Sequence, residues 1–582
     1  MFGKIIYVGN NMAHVEIGEN VTTDIMNMHV IFEKGETKIL GEVEDIDKEI
    51  IKIKLLGEFI EGKLVGGLTR KPSLDSTVRV IDPSEVPELL GHDDGNSLLL
   101  GESPYYDKAP IYVNVNKFFS NHFAIFGNSG SGKSCGVSRI VQNVFENQTL
   151  FPFRANMIFF DTSGEYANAF RDLNKLNQNF HYRLLTTQDH LQEGEALLLP
   201  IYLLNVDDLA LLLQCNNHSQ ISILEKTLDL ARAFADGGDK AQGYKDYLIA
   251  SAIMTILYSS ASSAAKRDEI FSILESCNTP NFNLEAEIQG IGYTRKFRDC
   301  FVIETNGQLA EMVLLTEYLS NFIRKEYEKY HAPSQGYYTL PDLEKALNFA
   351  LISEGFLRNE NTYSDAVTLK VRLHELASSS NARFFNTTNY IDAGTYISSL
   401  LIKENKKYQI VNINLDGIDD DLAKAITKTI CRLIFDFTKN MKERGTVPFH
   451  LIIEEAHRFI QKDDKDLYLI GYNIFERIAK EGRKYGTILG IISQRPVELS
   501  DTVISQCSNF LIFKMTHPYD VDYIQKMLPN ITEEIVEKQK SLQPGTCVGF
   551  GVAFKIPLII KLKMPDPSPS SSNCDVRNRW KA

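Results

Sequence analysis

The sequence has no apolar run approaching the roughly 18 residues that a helix needs to cross a bilayer. Its first residues also become polar too early to form the apolar core of a signal peptide. We therefore expect a cytoplasmic protein without a membrane partner. The hydrophobic fraction of 43% and the charged fraction of 24% exclude a mainly disordered or fibrous chain. The length of 582 residues suggests about three to four domains.

Paired cysteines are missing as well. The 8 cysteines are dispersed along the chain, and none of them forms a CxxC motif. This spacing argues against a zinc site and against a disulfide scaffold. We expect reduced, mostly structural thiols.

Positive charge is in deficit. The chain has 62 lysines and arginines against 75 aspartates and glutamates, which gives a net charge of −13. A protein this acidic does not coat nucleic acid passively. DNA binding would require that its basic side chains be gathered into a local channel.

Turn residues split the N-terminal region into short apolar runs whose spacing predicts β-strands in a small barrel or sandwich. We expect this domain to act in assembly or partner contact. The predicted strands are Lys4–Val8, His14–Ile17, His29–Phe32, Lys38–Val43, Ile50–Leu56 and Thr77–Ile81.

Beyond this domain, strand patterns alternate with helical ones, which predicts an α/β fold with a mostly parallel sheet. The predicted strands are Asn121–Phe126, Asn156–Asp161, Tyr408–Leu415, Phe449–Glu454, Thr487–Ser493 and Asn509–Lys514. The predicted helices include Lys133–Phe145, Ile221–Phe234, Asp246–Ser259, Gly307–Tyr330, Lys424–Met441 and Tyr472–Tyr485.

Five segments follow from these patterns. Residues 1–95 form the β domain, and residues 96–206 and 393–563 form the two parts of the α/β core. Residues 207–392 form an inserted helical domain. Residues 564–582 form a C-terminal tail, which we expect to be flexible because residues 565–573 are rich in proline and serine.

A phosphate-binding motif lies between the first strand of the core and the helix that follows it. Residues 127–134 fit GxxxxGK[ST], in which glycines let backbone N–H groups wrap phosphates at a helix N-terminus. We expect Lys133 to reach the β- and γ-phosphates and the Ser134 hydroxyl to bind magnesium. The alternative is a Gly/Ser-rich turn without a ligand. The candidate nucleotide-binding residues are Gly127, Asn128, Ser129, Gly130, Ser131, Gly132, Lys133, Ser134 and Cys135.

Two adjacent carboxylates end the predicted strand Phe449–Glu454, at the edge where open α/β sheets bind ligands. We assign Glu454 to the magnesium shell and Glu455 to the orientation and activation of the attacking water. The alternative is a helix start, where the helix dipole favours acidic residues.

Two further candidates follow other strands of the core. Gln494 comes after Thr487–Ser493. We expect it to hydrogen-bond the γ-phosphate or the attacking water, and to respond when the phosphate is lost after hydrolysis. Glu165 comes shortly after Asn156–Asp161 and is a third candidate carboxylate. Ordinary polar and acidic turns are the alternatives.

Arg483 and Lys484 belong to a basic cluster at the end of the helix Tyr472–Tyr485. A phosphoryl transition state needs positive charge near its equatorial oxygens, and a neighbouring subunit often supplies it. Arg483 is our first candidate for such a finger and Lys484 the second. The alternative is a solvated helix end, because the helix dipole favours basic residues at the C-terminus.

In this order, the motifs resemble the HerA/FtsK superfamily of hexameric DNA-pumping ATPases, and its HerA group in particular. The discriminating elements are Glu481–Gly486 and Ser493–Pro496. The other matching segments are Gly127–Ser134, Asp161–Tyr166, Glu454–His457, Ile504–Ser508 and Leu542–Gly545.

The resemblance implies a RecA-like P-loop NTPase core with a small N-terminal β-barrel of the HAS type and an inserted helical bundle. It also implies a homohexamer with ATP and Mg²⁺ at its subunit interfaces and duplex DNA in its central channel. Members of this family act with a nuclease, or with a sirtuin-like or other effector in antiviral defence. Lys403, Lys406 and Lys407 are candidates for the pore, with a solvated loop as the alternative.

Three functions fit these motifs. The first is an ATP-driven DNA translocase or helicase. The second is an ATP-gated platform that activates a partner effector without extensive translocation. The third is an ATPase that acts on protein or peptide.

Overall fold

The computed structural model describes residues 2–18, 25–47, 49–188, 194–305, 307–327, 330, 336–357, 360–462, 473–527, 533–570 and 576–580. Within these ranges the chain forms two large β-sheets, and helices cover the second one. No helix of the described residues is long and apolar enough to cross a membrane.

The N-terminal region is a 7-stranded antiparallel sheet in the order β1-β2-β5-β4-β3-β7, with β6 beside β5. Its strands are β1 (Ile5–Val8), β2 (Met12–Glu16), β3 (His29–Lys34), β4 (Thr37–Asp47), β5 (Ile50–Ile60), β6 (Lys63–Gly66) and β7 (Thr77–Val80). The predicted β structure is confirmed. The pairings among the described residues leave β1 and β7 as the two ends of the sheet, so they do not include the bridge that closes a barrel.

The second sheet has 12 strands in the order β13-β12-β18-β11-β19-β20-β10-β21-β22-β23-β8-β9. Strands β14 with β15 and β16 with β17 form separate hairpins. The remaining strands are β8 (Ser97–Glu102), β9 (Pro110–Asn114), β10 (Phe123–Phe126), β11 (Met157–Asp161), β12 (Tyr182–Thr186), β13 (Glu195–Ala196), β14 (Glu287–Gly290), β15 (Tyr293–Lys296), β16 (Ile402–Lys403), β17 (Lys406–Lys407), β18 (Ile410–Asn414), β19 (Phe449–Ile453), β20 (Thr487–Ser493), β21 (Asn509–Phe513), β22 (Thr546–Gly551) and β23 (Leu558–Lys561).

The strands from β13 to β21 in this order run parallel, as predicted, and β22, β23, β8 and β9 extend the sheet antiparallel. Alternate residues of β10 enter different cores: Ala124 and Phe126 pack on one face, and Phe123 and Ile125 on the other. A strand buried on both faces reads as a continuous apolar run, which is why the sequence predicts these strands well.

Helices cover both faces of this sheet and build the region between β13 and β16. The helices are α1 (Val86–Leu90), α2 (Val115–Phe119), α3 (Lys133–Glu146), α4 (Ala167–Phe170), α5 (Leu173–Leu176), α6 (Val206–Leu212), α7 (His218–Ala235), α8 (Asp239–Leu257), α9 (Ser263–Ser276), α10 (Met312–Ser320), α11 (Leu340–Ser353), α12 (Glu360–Ser378), α13 (Ala393–Leu401), α14 (Asp420–Lys439), α15 (Ile474–Tyr485), α16 (Asp501–Gln506), α17 (Pro518–Met527), α18 (Glu533–Lys540) and α19 (Val576–Arg579).

The helix predicted over Gly307–Tyr330 is wrong in its extent, because α10 covers only Met312–Ser320 of it. Beyond the end of α10, Phe322 packs on Phe282, with ring centroids 4.8 Å apart. Tertiary packing on this buried ring outweighs the weak local preference for helix.

The proline- and serine-rich end of the chain is docked over its described part. Residues 564–570 lie against α3 and α4, with Pro565 and Pro569 buried. The prediction of a flexible tail is therefore wrong for residues 565–570, and residues 571–573 lie outside the described ranges. A segment without a core of its own can still bury its proline rings against a surface that the rest of the chain provides.

A buried ion pair joins α14 to the start of the helical region. Arg432 Nε donates to Asp208 Oδ2 at 2.9 Å, and Arg432 Nη2 donates to the Leu203 carbonyl at 2.9 Å. Asp208 is 3% exposed and also accepts the Asn205 N–H at 3.0 Å as part of the α6 capping box. The pair therefore fixes α6 against the helix that packs on the sheet.

We predict that Arg432→Ala lowers the free energy of unfolding by about 3–5 kcal/mol, because it leaves Asp208 buried without its partner. Urea denaturation followed by circular dichroism measures this. The matched control is Arg324→Ala, which removes an exposed ion pair 3.8 Å long and should cost less than about 1 kcal/mol. Equal costs for the two variants would show that the buried pair does not stabilise the fold.

Candidate active site

The GxxxxGK[ST] loop lies in the middle of the sheet, because it follows β10 and the neighbours of β10 are β20 and β21. Gly130 and Gly132 have φ angles of 74° and 97°, where glycine is favoured. A Cβ on Gly132 would lie 2.7 Å from the backbone nitrogen of Gly545, so a larger residue does not fit. The loop leads directly into α3, whose first residue is Lys133.

The Lys133 side chain folds back into its own loop. It is 8% exposed, and its Nζ donates to the Asn128 carbonyl at 3.1 Å. Burial lowers the pKa of Lys133, while the nearby carboxylates of Glu455, Glu454 and Glu165 raise it. A buried ammonium group with one neutral acceptor is suited to exchange that acceptor for phosphate oxygens.

Three side-chain hydrogen bonds brace the loop, one within the loop and two to the ends of neighbouring strands. Ser131 Oγ donates to the Asn128 carbonyl at 2.7 Å. Asn128 Nδ2 donates to Thr516 Oγ1 beyond β21 at 2.8 Å. Ser129 Oγ donates to Gln494 Oε1 at the end of β20 at 2.7 Å. The loop and Gln494 are therefore in direct contact.

Glu454 and Glu455 follow β19 at the same edge of the sheet as the loop. Only β20 separates β19 from β10, so the two strands lie about 10 Å apart. Glu454 is 6% exposed, and its N–H donates to the Phe160 carbonyl at 3.1 Å. Glu455 has a φ of 44°, a strained value for a residue with a side chain and one that recurs at functional sites.

Both glutamates carry an oxygen with an open acceptor site. Oε2 of each accepts no hydrogen bond from the described part of the chain. Burial raises the pKa of Glu454 well above its ordinary value, and the Asp161 carboxylate raises it further. Burial also raises the pKa of Glu455, whereas Lys133 lowers it. A bound cation would favour the ionised forms of both.

Asp161 is a third buried carboxylate, and it is not among the site residues that the sequence predicts. It is 0% exposed, and it accepts the N–H groups of Glu165 and Tyr166 and the Asn412 Nδ2, each at 3.0 Å. Asp161 therefore shapes the loop that carries Glu165. Its signal in the sequence is an acidic residue at the end of the apolar strand Met157–Asp161.

The end of β20 connects the loop to the glutamate pair. Gln494 contacts Ser129, and the preceding Ser493 Oγ lies 3.1 Å from His457 Nδ1. The same nitrogen lies 3.3 Å from Glu455 Oε2. Burial lowers the pKa of His457, so the imidazole is neutral near pH 7, and its hydrogen bond with Ser493 links β20 to the glutamate pair.

Arg483 and Lys484 lie at the opposite edge of the sheet. They end α15 just before β20 begins, whereas Gln494 follows the end of β20. A strand rises about 3.3 Å per residue, so the 7 residues of β20 separate these ends by roughly 20 Å. The positive charge of Arg483 instead helps burial to lower the pKa of His122, before β10, to about 4. Neither basic residue therefore meets the loop of its own chain.

The three pore candidates lie at this second edge too, in the β16–β17 hairpin. Lys403 pairs with Glu195 at 2.9 Å. Lys407 donates to Asn156, and burial lowers its pKa to about 8. Lys406 is exposed. Two of these lysines are therefore engaged within the chain.

The residues at the loop edge fit a nucleotide with magnesium better than a metal held by protein alone. Across the described ranges, no three His, Cys, Asp or Glu side chains form a cage for a metal ion. Magnesium bound with a nucleotide needs only one or two protein ligands, because phosphates and waters complete its shell. The open Oε2 of Glu454 and the half-buried Ser134, which lies between Lys133 and Cys135 in the first turn of α3, fit this requirement.

A parallel α/β sheet with this loop after a central strand, and carboxylates two strands away, defines the class of P-loop nucleotide-binding domains. Residues 98–287 match the family model for the central domain of helicase HerA. The resemblance to HerA that the motifs predict is confirmed.

Two relatives that carry the name HerA are similar to this chain, one over 188 residues and the other over 544 residues. The DNA double-strand break repair helicase HerA of Saccharolobus solfataricus is 32% identical over 188 residues, which cover 32% of this chain and 37% of that protein. The chain thus spans about a third of the length of the first relatives it matches. A probable DNA double-strand break repair helicase HerA of Methanocaldococcus jannaschii is 21% identical over 544 residues, covering 93% and 90% of the two chains. The solved structure of VirB4 of Thermoanaerobacter pseudethanolicus aligns with a TM-score of 0.41 and 13% identity, covering 81% and 98%.

We predict that, without nucleotide at pH 8, the Glu454→Gln variant is more stable to unfolding than the wild-type protein. The folded state holds the Glu454 proton more tightly than the unfolded state does, so this group lowers stability as pH rises from about 4.3 through its raised pKa. Glutamine does not ionise, so the unfolding midpoint of the variant should fall less between pH 5 and pH 8. The control is Glu36→Gln on the exposed β3–β4 turn, and a parallel pH dependence of all three proteins would contradict the prediction.

Proposed function

We propose that this protein is an ATP-hydrolysing motor of the HerA type, which assembles as a homohexamer and moves or unwinds duplex DNA through a central channel. The observation that carries the proposal is the meeting of Lys133 with the open carboxylates of Glu454 and Glu455 at one sheet edge. The match of residues 98–287 to the HerA central domain supports the choice of DNA as the substrate.

In this proposal the loop residues hold ATP, with Lys133 on the β- and γ-phosphates. Ser134 and Glu454 hold magnesium, which neutralises phosphate charge when bound. Glu455 orients the attacking water and accepts its proton, for which it must be ionised. Gln494 already bonds the loop through Ser129, so it is placed to respond when the γ-phosphate leaves.

The finger that completes the site would come from a second copy of the chain. Arg483 and Lys484 lie roughly 20 Å from the loop edge of their own sheet, the length of β20. A head-to-tail ring brings the basic edge of one subunit to the loop edge of the next, as heterologous contacts do. Glu165 adds a third carboxylate whose charge acts on Lys133.

The remaining parts of the chain receive supporting roles. We propose that residues 1–95 form a barrel of the HAS type when assembled, that residues 207–392 are an inserted helical domain, and that 96–206 and 393–563 form a RecA-like core. A nuclease or a sirtuin-like effector of antiviral defence would bind this hexamer. The competing function is an ATP-gated platform for that effector, without extensive translocation.

We predict that duplex DNA stimulates ATP hydrolysis by the wild-type protein, and that Lys133→Ala and Glu455→Gln each reduce the rate at least about 100-fold. The first variant removes the phosphate cation, and the second keeps the size of the side chain but removes the base. A phosphate-release assay with and without DNA, alongside native mass, measures this. The control is Lys34→Ala on the N-terminal sheet, which removes an exposed ion pair.

The outcomes separate the candidate functions. DNA-stimulated hydrolysis with strand displacement supports the motor. Activation of an effector without displacement supports the platform. A rate of hydrolysis that DNA does not change favours a protein or peptide substrate. The absence of any hydrolysis would falsify the proposal.

We further predict that mixing Arg483→Ala with Lys133→Ala restores hydrolysis that neither variant shows alone. In an equal random mixture, about a quarter of the interfaces combine an intact loop with an intact finger from the next subunit. The recovered rate should therefore approach about a quarter of the wild-type rate. If Lys484→Ala restores hydrolysis when mixed with Lys133→Ala and Arg483→Ala does not, the finger is Lys484 instead. If neither mixture recovers, both residues are rejected as the finger.

A further inference from the structure

Residues 564–570, which we call the C-terminal strap, run from β23 across α3 to the loop that carries Glu165. Pro565 and Pro569 are buried, while Asp566, Ser568 and Ser570 are exposed. The three prolines of the strap fix φ, so the strap loses less conformational entropy when it docks. The strap is therefore packed against the α/β core.

Gln142 of α3 is the main anchor of the strap. It is 2% exposed, and its Nε2 donates to the Pro567 carbonyl at 2.9 Å and to the Ala169 carbonyl at 3.1 Å. Its Oε1 accepts the Asp566 N–H at 3.0 Å. One buried amide thus ties the helix after the phosphate-binding loop to both the strap and α4.

Two more hydrogen bonds extend the contact to the site. Asn168 Nδ2 donates to the Ser568 carbonyl at 2.7 Å. The Ser570 N–H donates to the Glu165 carbonyl at 2.8 Å. The N–H groups of Glu165 and Tyr166 donate to Asp161, each at 3.0 Å, so Asp161 holds both peptide groups that flank Glu165. The strap adds a further restraint, on the Glu165 carbonyl.

The position of Glu165 matters because its charge acts on the centre of the site. Glu165 raises the pKa of Lys133, Glu454 and Glu455. Coulomb energies between partly buried charges change steeply with distance. A displacement of this loop would therefore alter the field at the position of the γ-phosphate.

We propose that the C-terminal strap and Gln142 are positioning elements that hold Glu165 beside Lys133 and thereby set the turnover rate of ATP hydrolysis. The proposal rests on the function proposed above. The strap contacts no residue of the phosphate-binding loop among the described hydrogen bonds. Loss of the strap should therefore lower kcat while the KM for ATP changes little.

The sharpest test removes one N–H group at an exposed position. Ser570→Pro deletes the donor to Glu165, whereas Ser570→Ala keeps the backbone donor and removes only the hydroxyl. We expect a three- to tenfold fall in kcat, about the value of one hydrogen bond, for Ser570→Pro only. The KM for ATP should stay within about twofold of wild type in both variants.

A pair of truncations extends the test to the whole strap. The chain that ends at Lys563 loses it, and the chain that ends at Asn573 keeps residues 564–570. We expect the first to lose at least as much kcat as Ser570→Pro, and the second to match wild type. Melting temperature and native mass are recorded for every variant, so that a loss of folding or assembly is recognised.

Each outcome decides between the alternatives. Equal kcat in all variants of an active wild type overturns the strap proposal and leaves the ATPase proposal standing. A raised KM with unchanged kcat overturns it as well, because the strap would then serve nucleotide binding. A melting temperature lowered equally by Ser570→Pro and Ser570→Ala, with equal kcat, assigns the strap a purely structural role. A wild type without ATPase activity instead rejects the proposed function itself.

Discussion

The crowding of Glu454 and Glu455 near the ammonium group of Lys133, with Asp161 beside Glu454, is the constraint on which the rest of the structure depends. Buried carboxylates cost free energy unless cations or N–H donors compensate them. Asp161 is compensated by two backbone N–H groups and Asn412, but Oε2 of both glutamates stays open within the described chain. The site therefore stores an excess of acceptors that a divalent cation would satisfy.

The fold keeps this crowding stable by fixing its members to different strands of one sheet. The loop follows β10, Asp161 ends β11 and the glutamates follow β19, so each side chain is placed by a strand buried on both faces. Contacts between the strand ends, such as Ser129 with Gln494 and Ser493 with His457, then fix the side chains relative to one another. A rigid sheet thus holds charges that would separate in a flexible chain.

The two edges of the sheet carry opposite chemistry, and this polarity accounts for the form of the proposed assembly. Carboxylates gather where the strands end, and Arg483, Lys484 and the lysine hairpin lie where the strands begin. In a parallel sheet no side chain at one edge reaches the other, so the proposed finger Arg483 would have to come from a second copy. The overall acidity of the chain does not conflict with local basic surfaces of this kind.

The sequence by itself determined the phosphate-binding loop, the parallel strands and the glutamate pair, because each depends on residues adjacent in the chain. It could not reveal that Asn412 of a distant strand also donates to Asp161. The docking of residues 564–570 on Gln142, the shortened α10 and the separation of Arg483 from the loop were decided only by the tertiary structure. These features arise from packing between segments far apart in sequence, which local patterns do not encode.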